Sequence, residues 1–233
     1  MPTNAAKQIS LASQRLRRLR RLDACGVSDA LDRLQLTGVA SGVPQQSGTN
    51  RIAGLVTTLK LGVSTPASGT HKSHLGTLAI ELSGPDNIIV VEQISGVDAA
   101  CWGGLLTLGA KTRGVTGVIA DGLLRDADEA RAMNYPIFAN GLTARTARGR
   151  VTELGTNIPV CVWGIVVKPG DFVLADRSAV IFISAQNIDA VLDTAESIVA
   201  REAVMSKAIL KGSAISKVMG GDYENMLREH DVK

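Results

Sequence analysis

Two short runs, Ile88-Ile89-Val90-Val91 and Gly117-Val118-Ile119-Ala120, carry no polar residue at alternate positions. A strand with one solvated face alternates apolar and polar residues, so a run without alternation predicts a strand buried on both faces, the signature of a parallel sheet covered by other layers. Each run is followed by a segment of helical spacing, Asp126 to Asn134 after the second and Trp102 to Arg113 between the two. Pro136-Ile137-Phe138-Ala139 then reads as a further short strand. This alternation predicts an α/β architecture.

The flanking segments complete the layout. Leu11, Leu16, Leu19 and Leu22 recur at helical spacing among Lys7, Arg15, Arg17, Arg18, Arg20 and Arg21, which predicts a docked N-terminal helix with a solvated basic face. Val27 to Leu34 reads as a short helix with Ser28 or Asp29 at its start, Gly38 to Gly48 as loop, Ile52 to Leu61 as a strand, Pro66 to Thr70 as a second loop, and His74 to Ser83 as a helix ended by Gly84-Pro85-Asp86-Asn87. From Val160 the pattern changes to strands, Val160 to Val167, Phe172 to Leu174 and Ala179 to Ile183, which predicts a β-rich layer or partial barrel. Ile188, Val191, Leu192, Ala195, Ile198 and Val199 mark one stripe of a long last helix ending near Gly212. The expected organisation is a basic helix over 1–25, a single α/β domain of catalytic type over 26–185, and a C-terminal helix and tail over 186–233 that reaches toward a neighbouring subunit.

The balance of 25 Lys plus Arg against 22 Asp plus Glu leaves a formal charge of +3, too even to name a polyanionic partner. With 3% aromatic residues the chain also lacks the stacking surface of a single-stranded RNA binder, so no nucleic-acid partner is expected. Cys25, Cys101 and Cys161 stand far apart with no Cys-x-x-Cys pair, which argues against a disulfide framework and a thiolate zinc site. The polar start and the lack of a membrane-length apolar run predict a cytoplasmic protein with no membrane partner. Dinucleotide and P-loop glycine patterns are absent.

Chemistry concentrates in two places. Arg125 and Asp126 follow the Gly117 to Leu124 segment, at the strand end where ligands of α/β proteins bind. A guanidinium grips a carboxylate through two parallel hydrogen bonds, and an adjacent carboxylate holds a hard divalent cation that keeps water ligands. The competing reading has Asp126 capping the next helix, with Asp128 and Glu129 at its positive end. The second place is Trp102-Gly103-Gly104-Leu105-Leu106, where glycines permit close approach and the Leu105 and Leu106 amides face an anion; ordinary helix entry is its competing reading.

Together with Val27 to Leu34, Lys111-Thr112-Arg113-Gly114 and Pro136 to Ala139, these segments resemble the family that contains the regulator of ribonuclease activity A and the class II pyruvate aldolases acting on 4-hydroxy-4-methyl-2-oxoglutarate. The resemblance implies a swivelling β/β/α fold like that of phosphohistidine domains, with a central sheet, a partial β-barrel layer and flanking helices, assembled as a homotrimer or homohexamer. It implies Arg125 as the catalytic residue that binds the keto-acid carboxylate and stabilises an enolate, Asp126 as ligand to Mg2+ or Mn2+, and Gly103, Gly104, Leu105 and Leu106 as the substrate-binding turn.

One position departs from the family. The aldolase pattern is an Asp, twenty intervening residues, then Arg-Asp; counting back from Arg125 reaches Gly104. Glycine neither accepts a proton nor orients a water. His71 and His74 are candidates for the missing acid/base because histidine titrates near neutrality, with Glu92 and Asp98 as rivals. The expected function is therefore a metal-dependent lyase on a small 2-oxo di- or tricarboxylate, cleaving an aldol to release pyruvate or decarboxylating oxaloacetate. The alternatives are altered chemistry on the same scaffold and a non-catalytic interaction protein acting through the basic helix.

Overall fold

The computed structural model of the protein describes residues 4–65, 74–94 and 96–220. The 66–70 loop, His71 and the tail from 221 lie outside them. The chain runs α1 (Asn4–Leu19), α2 (Ala24–Arg33), β1 (Val39–Ser41), β2 (Gln45–Ser47), β3 (Ile52–Val63), α3 (Thr77–Glu81), β4 (Asn87–Ile94) and β5 (Ala100–Trp102). It continues through α4 (Gly104–Thr112), β6 (Gly117–Leu124), α5 (Ala127–Ala132), β7 (Ile137–Leu142), β8 (Val151–Thr156), β9 (Val160–Val162) and β10 (Ile165–Val167). The last elements are β11 (Phe172–Ala175), β12 (Ala179–Ile183), α6 (Ile188–Leu210) and α7 (Ile215–Val218).

One large sheet orders its strands β1-β12-β11-β3-β4-β6-β7-β2, with β5 added beside β6 and β8 beside β3. Its centre, β3-β4-β6-β7, is parallel, and β11, β12 and β1 extend it antiparallel. Ile88, Ile89, Val90 and Val91 are fully buried, as the unalternated run requires. Their side chains divide between two cores: Ile89 and Val91 join Val118, Ala120, Trp102 and Ala110 on the α3–α5 side, while Ile88 and Val90 join Ile119, Val162 and Val167 beneath the β9–β10 hairpin. β3 repeats the division, with Ala53, Leu59 and Leu61 toward helices and Ile52 and Val56 toward the hairpin. Helices thus cover one face of the sheet and a β layer covers the other, the expected layering of a central sheet with flanking helices.

Several local expectations change. Gly38 to Gly48 is not all loop, because edge strands β1 and β2 form within it; short edge strands tolerate the Gly, Pro and Ser that hide them in the sequence. The helix expected from His74 contracts to Thr77–Glu81. Trp102 belongs to β5 rather than to the following helix, and Val160 to Val167 folds back on itself at Trp163-Gly164, both with positive φ (47° and 79°) as a tight two-residue hairpin demands.

α1 docks as expected through Leu16, Leu19 and Leu22, which share a core with α2 and α6. Its basic face meets solvent at Arg17, Arg20 and Arg21, while the half-buried Arg15 pairs with Asp189 and Arg18 pairs with Glu196 and Asp193 of α6 at the surface. The cause is the acidic stripe of α6, which runs beside the apolar one.

Candidate active site

β5 lies parallel to β6, Ala100 opposite Leu123 and Trp102 opposite Leu124. The pairing continues one step further, where the Arg125 amide donates to the Trp102 carbonyl at 3.0 Å. Residues 103–106 and 125–126, far apart in sequence, are brought side by side by this register. Trp102 fixes the strand end: it is fully buried, and its indole N–H donates to Thr107 Oγ1 at 3.1 Å. Gly103 is needed for the approach, since a Cβ there would stand 3.0 Å from both Arg125 Cγ and Asp126 Oδ2.

Asp126 stands at the N-cap position of α5, but its side chain does not cap the helix. It sits in the left-handed region (φ 57°, ψ 39°) and makes no side-chain cap bond. Its Oδ2 accepts from the Gly104 amide at 2.9 Å, across to α4, and from Arg125 Nε at 3.2 Å. Oδ1 takes part in no hydrogen bond among the described residues. A non-glycine residue held in this conformation costs about 1–3 kcal/mol, and Asp is among the few side chains that tolerate it. The strain aims the carboxylate at a cleft of about 230 Å³.

The cleft is bordered by Gly103 to Leu106, Arg125, Asp126 and His74, and also by Thr146 and Arg148 from the segment between β7 and β8. α4 has no side-chain cap at its N-terminus, and the Leu105 and Leu106 amides have no hydrogen-bond partner among the described residues. Leu105 itself is 87% exposed, so its side chain leaves the amide open. Two guanidinium groups and free helix amides give the cleft an electropositive character suited to an anion. Cys101 also borders it but is no nucleophile, because burial pushes its thiol up to about 12.

The other acid/base candidates scatter. His74 reaches the cleft edge, exposed, with Nδ1 3.0 Å from the Leu75 carbonyl. His71 is not among the described residues. Glu92 is buried on β4 and paired with Lys60 at 3.2 Å, and Asp98 is held by Arg145 at 3.0 Å and by the Thr143 hydroxyl at 2.6 Å. Neither borders the cleft. Arg148 and Thr146 were not legible as site residues; the only signal was the basic run Arg145-Thr146-Ala147-Arg148-Gly149-Arg150.

The donor set bears on the metal. Among the described residues no group of three or more His, Cys, Asp or Glu forms a closed metal cage. A free Asp126 oxygen beside an open cleft instead fits a hard cation such as Mg2+ or Mn2+, which binds through one or two carboxylates and keeps water and substrate oxygens as its other ligands.

Residues 24–182 match the family RraA-like, described as Aldolase/RraA. The chain belongs to this family. An uncharacterized protein of Methanocaldococcus jannaschii is 32% identical over 148 residues, 62% of this chain and 70% of that protein. A protein of Halalkalibacterium halodurans, provisionally named a 4-hydroxy-4-methyl-2-oxoglutarate aldolase, is 29% identical over 184 residues, 78% of this chain and 82% of that protein. The crystal structure of an uncharacterized protein from Pseudomonas syringae pv. tomato superposes with a TM-score of 0.80 at 26% identity, covering 88% of this chain and 92% of that one. The fold of that structure is thus shared over 88% of this chain. No helix among the described residues is long and apolar enough to cross a membrane.

Proposed function

We propose that the protein is a divalent-metal-dependent carbon–carbon lyase acting on a small 2-oxo di- or tricarboxylate, releasing pyruvate from 4-hydroxy-4-methyl-2-oxoglutarate or a relative, or decarboxylating oxaloacetate. The observation that carries this reading is the convergence of Arg125, the free oxygen of Asp126 and the unpaired Leu105 and Leu106 amides on one open cleft. Both reactions pass through the same enolate of pyruvate, and all three groups suit an intermediate with a carboxylate beside a developing oxyanion.

The terminal nitrogens of Arg125 carry no hydrogen bond among the described residues and grip the 2-oxo acid, offsetting the charge that grows on its oxygen. The Leu105 and Leu106 amides orient the carboxylate. Arg148, across the cleft, takes the distal carboxylate, which favours a dianion over pyruvate itself. Asp126 holds Mg2+ or Mn2+, which when bound supplies Lewis-acid polarisation of the 2-oxo group. Oxaloacetate loses CO2 without a base to start it, so Gly104 is no obstacle to that reaction.

Pyruvate release from oxaloacetate and from 4-hydroxy-4-methyl-2-oxoglutarate, measured with Mg2+, with Mn2+ and with excess chelator, tests the proposal. Chelator-sensitive release from either substrate is expected. No release from either with both metals would remove the lyase reading.

A further inference from the structure

β6 changes neighbours part-way along its length. From Gly117 to Asp121 it pairs with β4, and that pairing ends with Asp121 opposite Glu92. From Leu123 the neighbour on the same side is β5, through Ala100 and then Trp102. The other edge of β6 stays with β7 but falls out of step. Between the pairs Ala120–Ala139 and Leu123–Gly141 the chain advances three residues on β6 and two on β7. The extra residue makes a β-bulge at Asp121-Gly122, a device that bends a strand and re-aims the residues after it. Those residues lead directly to Arg125 and Asp126. Gly122 passes where no side chain fits, since a Cβ there would stand 2.7 Å from Gln93 Oε1 and 2.8 Å from Cys101 Sγ.

Both carboxylate oxygens of Asp121 are held. Oδ1 accepts from Asn140 Nδ2 of β7 at 2.7 Å, and Oδ2 accepts from the Trp163 amide at 2.8 Å. The Trp163 indole N–H donates to Asn140 Oδ1 at 2.8 Å, so three bonds close a triangle on β6, β7 and the turn between β9 and β10. Glu92, opposite Asp121, instead faces Lys60 at 3.2 Å. The hairpin has its own anchor in Val160, Val162 and Val167, which are buried in the core beneath it, so the distinct effect of the triangle falls on the bulge.

We infer that Asp121 is a positioning residue of the active site: clamped by Asn140 and Trp163, it fixes the bulge at which β6 leaves β4 for β5, and so sets where Arg125 and Asp126 stand in the cleft. Asp121 does not itself border the cleft. The inference deepens the lyase reading above and rests on it for turnover, while its geometric part is measurable without turnover. Displacing a group that grips substrate by about 1 Å costs about 100-fold in rate, so a partial loosening of the clamp is large enough to measure.

Exchanging two side chains tests the clamp. Asp121→Asn alone sets one NH2 group against another, and Asn140→Asp alone sets two carboxylates together, so each breaks the triangle. In the double variant Asp121→Asn/Asn140→Asp every bond re-forms. The amide at position 121 donates to the carboxylate at 140 and accepts from the Trp163 amide, and the carboxylate at 140 accepts the indole N–H. Two readouts are taken well below the unfolding temperature of each variant. One is kcat for pyruvate release from oxaloacetate at saturating Mg2+. The other is the NMR shift of the Gly104 amide proton in the substrate-free protein, which reports the 2.9 Å bond to Asp126 Oδ2.

Asp121→Asn should lower kcat about tenfold or more and move the Gly104 amide proton upfield as its bond to Asp126 lengthens. The double variant should return kcat to within about threefold of wild type and the amide proton to its place. A merely structural role would lower the unfolding temperature and leave both readouts where they are. A kcat within about twofold of wild type in folded Asp121→Asn, an unmoved Gly104 amide, or no recovery in the folded double variant would overturn the inference. If Asp121→Asn does not fold, Trp163→Phe, which removes only the indole donor, takes its place; a displaced Gly104 amide then upholds the clamp and an unmoved one overturns it. If wild type releases no pyruvate, the lyase reading fails by itself and the amide proton decides the clamp. Displacement in Asp121→Asn with return in the double variant upholds it, and no displacement overturns it.

Discussion

Replacing Asp126 separates the fold from the chemistry, because its backbone and its charge contribute different things. Asp126→Ala removes the acceptor for the Gly104 amide and for Arg125 Nε, and leaves a Cβ residue without polar compensation at φ 57°. The lost hydrogen bond is partly exposed and is worth about 1 kcal/mol, and alanine in the left-handed region costs about another 1 kcal/mol relative to Asp or Asn. The sum, about 2 kcal/mol, displaces a urea midpoint by about 1 M for a slope near 2 kcal/mol/M. Asp126→Asn keeps an acceptor oxygen and a side chain that tolerates this conformation, so its midpoint should move by less than about half as much. Under the proposed metal-dependent function both variants lose the charge that would hold the cation and should lose about 100-fold or more in turnover, since a Lewis acid is worth several kcal/mol in the transition state. Urea denaturation followed by circular dichroism, with turnover on the same preparations, measures both effects. An Asn variant that is folded and retains more than about a tenth of wild-type turnover would refute Asp126 as the metal-binding group. An Ala variant no less stable than the Asn variant would refute the account of its backbone.

Three further outcomes follow from the same structure. Arg148→Ala should raise KM for a dicarboxylic substrate about tenfold with little change in kcat, as expected for a rim cation that binds without entering the reaction; steady-state kinetics that show an equal fall in kcat would place it in the chemistry. The Asp189 and Glu196 carboxyls are held below their usual range, first by hydrogen bonds from Arg15 and Arg18 respectively, so their contribution to α1 docking is present above the ordinary carboxylate pKa and is lost as pH falls through the depressed values. Limited proteolysis of 1–22 should therefore accelerate below about pH 4, and acceleration on raising the pH from 5 to 7 would contradict the sign. Cys25 and Cys161 are exposed and Cys101 is buried, so a thiol reagent at pH 8 should modify two cysteines in the native protein and all three in denaturant. Rapid native modification of Cys101 would show that the β5–β6 junction opens.

The parts of this account that depend on local pattern were legible in the sequence. Ile88 to Val91 and Val118 to Ala120 had to be doubly covered strands, and the α6 stripe from Ile188 to Ile198 is buried as its spacing demands. Arg125 and Asp126 were legible because they follow a buried strand directly. What was not legible depends on register between distant segments. The 2.9 Å hydrogen bond from the Gly104 amide to Asp126 Oδ2 exists only because β5 pairs with β6 and brings the start of α4 against the start of α5; in the sequence the two residues lie on separate segments. Arg148 lies in a segment whose only signal was basic charge. The acidic stripe of α6 likewise gave no sign of its partner, although Arg15 and Arg18 were in view at the other end of the chain.

The central claim is that the cleft stabilises the enolate of pyruvate through Arg125. Exchange of the pyruvate methyl protons for deuterium in D2O, followed by proton NMR with Mg2+, isolates that step from carbon–carbon cleavage. The account predicts exchange that wild type accelerates well above the rate without enzyme, that chelator stops and that Arg125→Ala loses by about 100-fold. Absence of enzymatic exchange in wild type, or exchange undiminished in a folded Arg125→Ala variant, would contradict it.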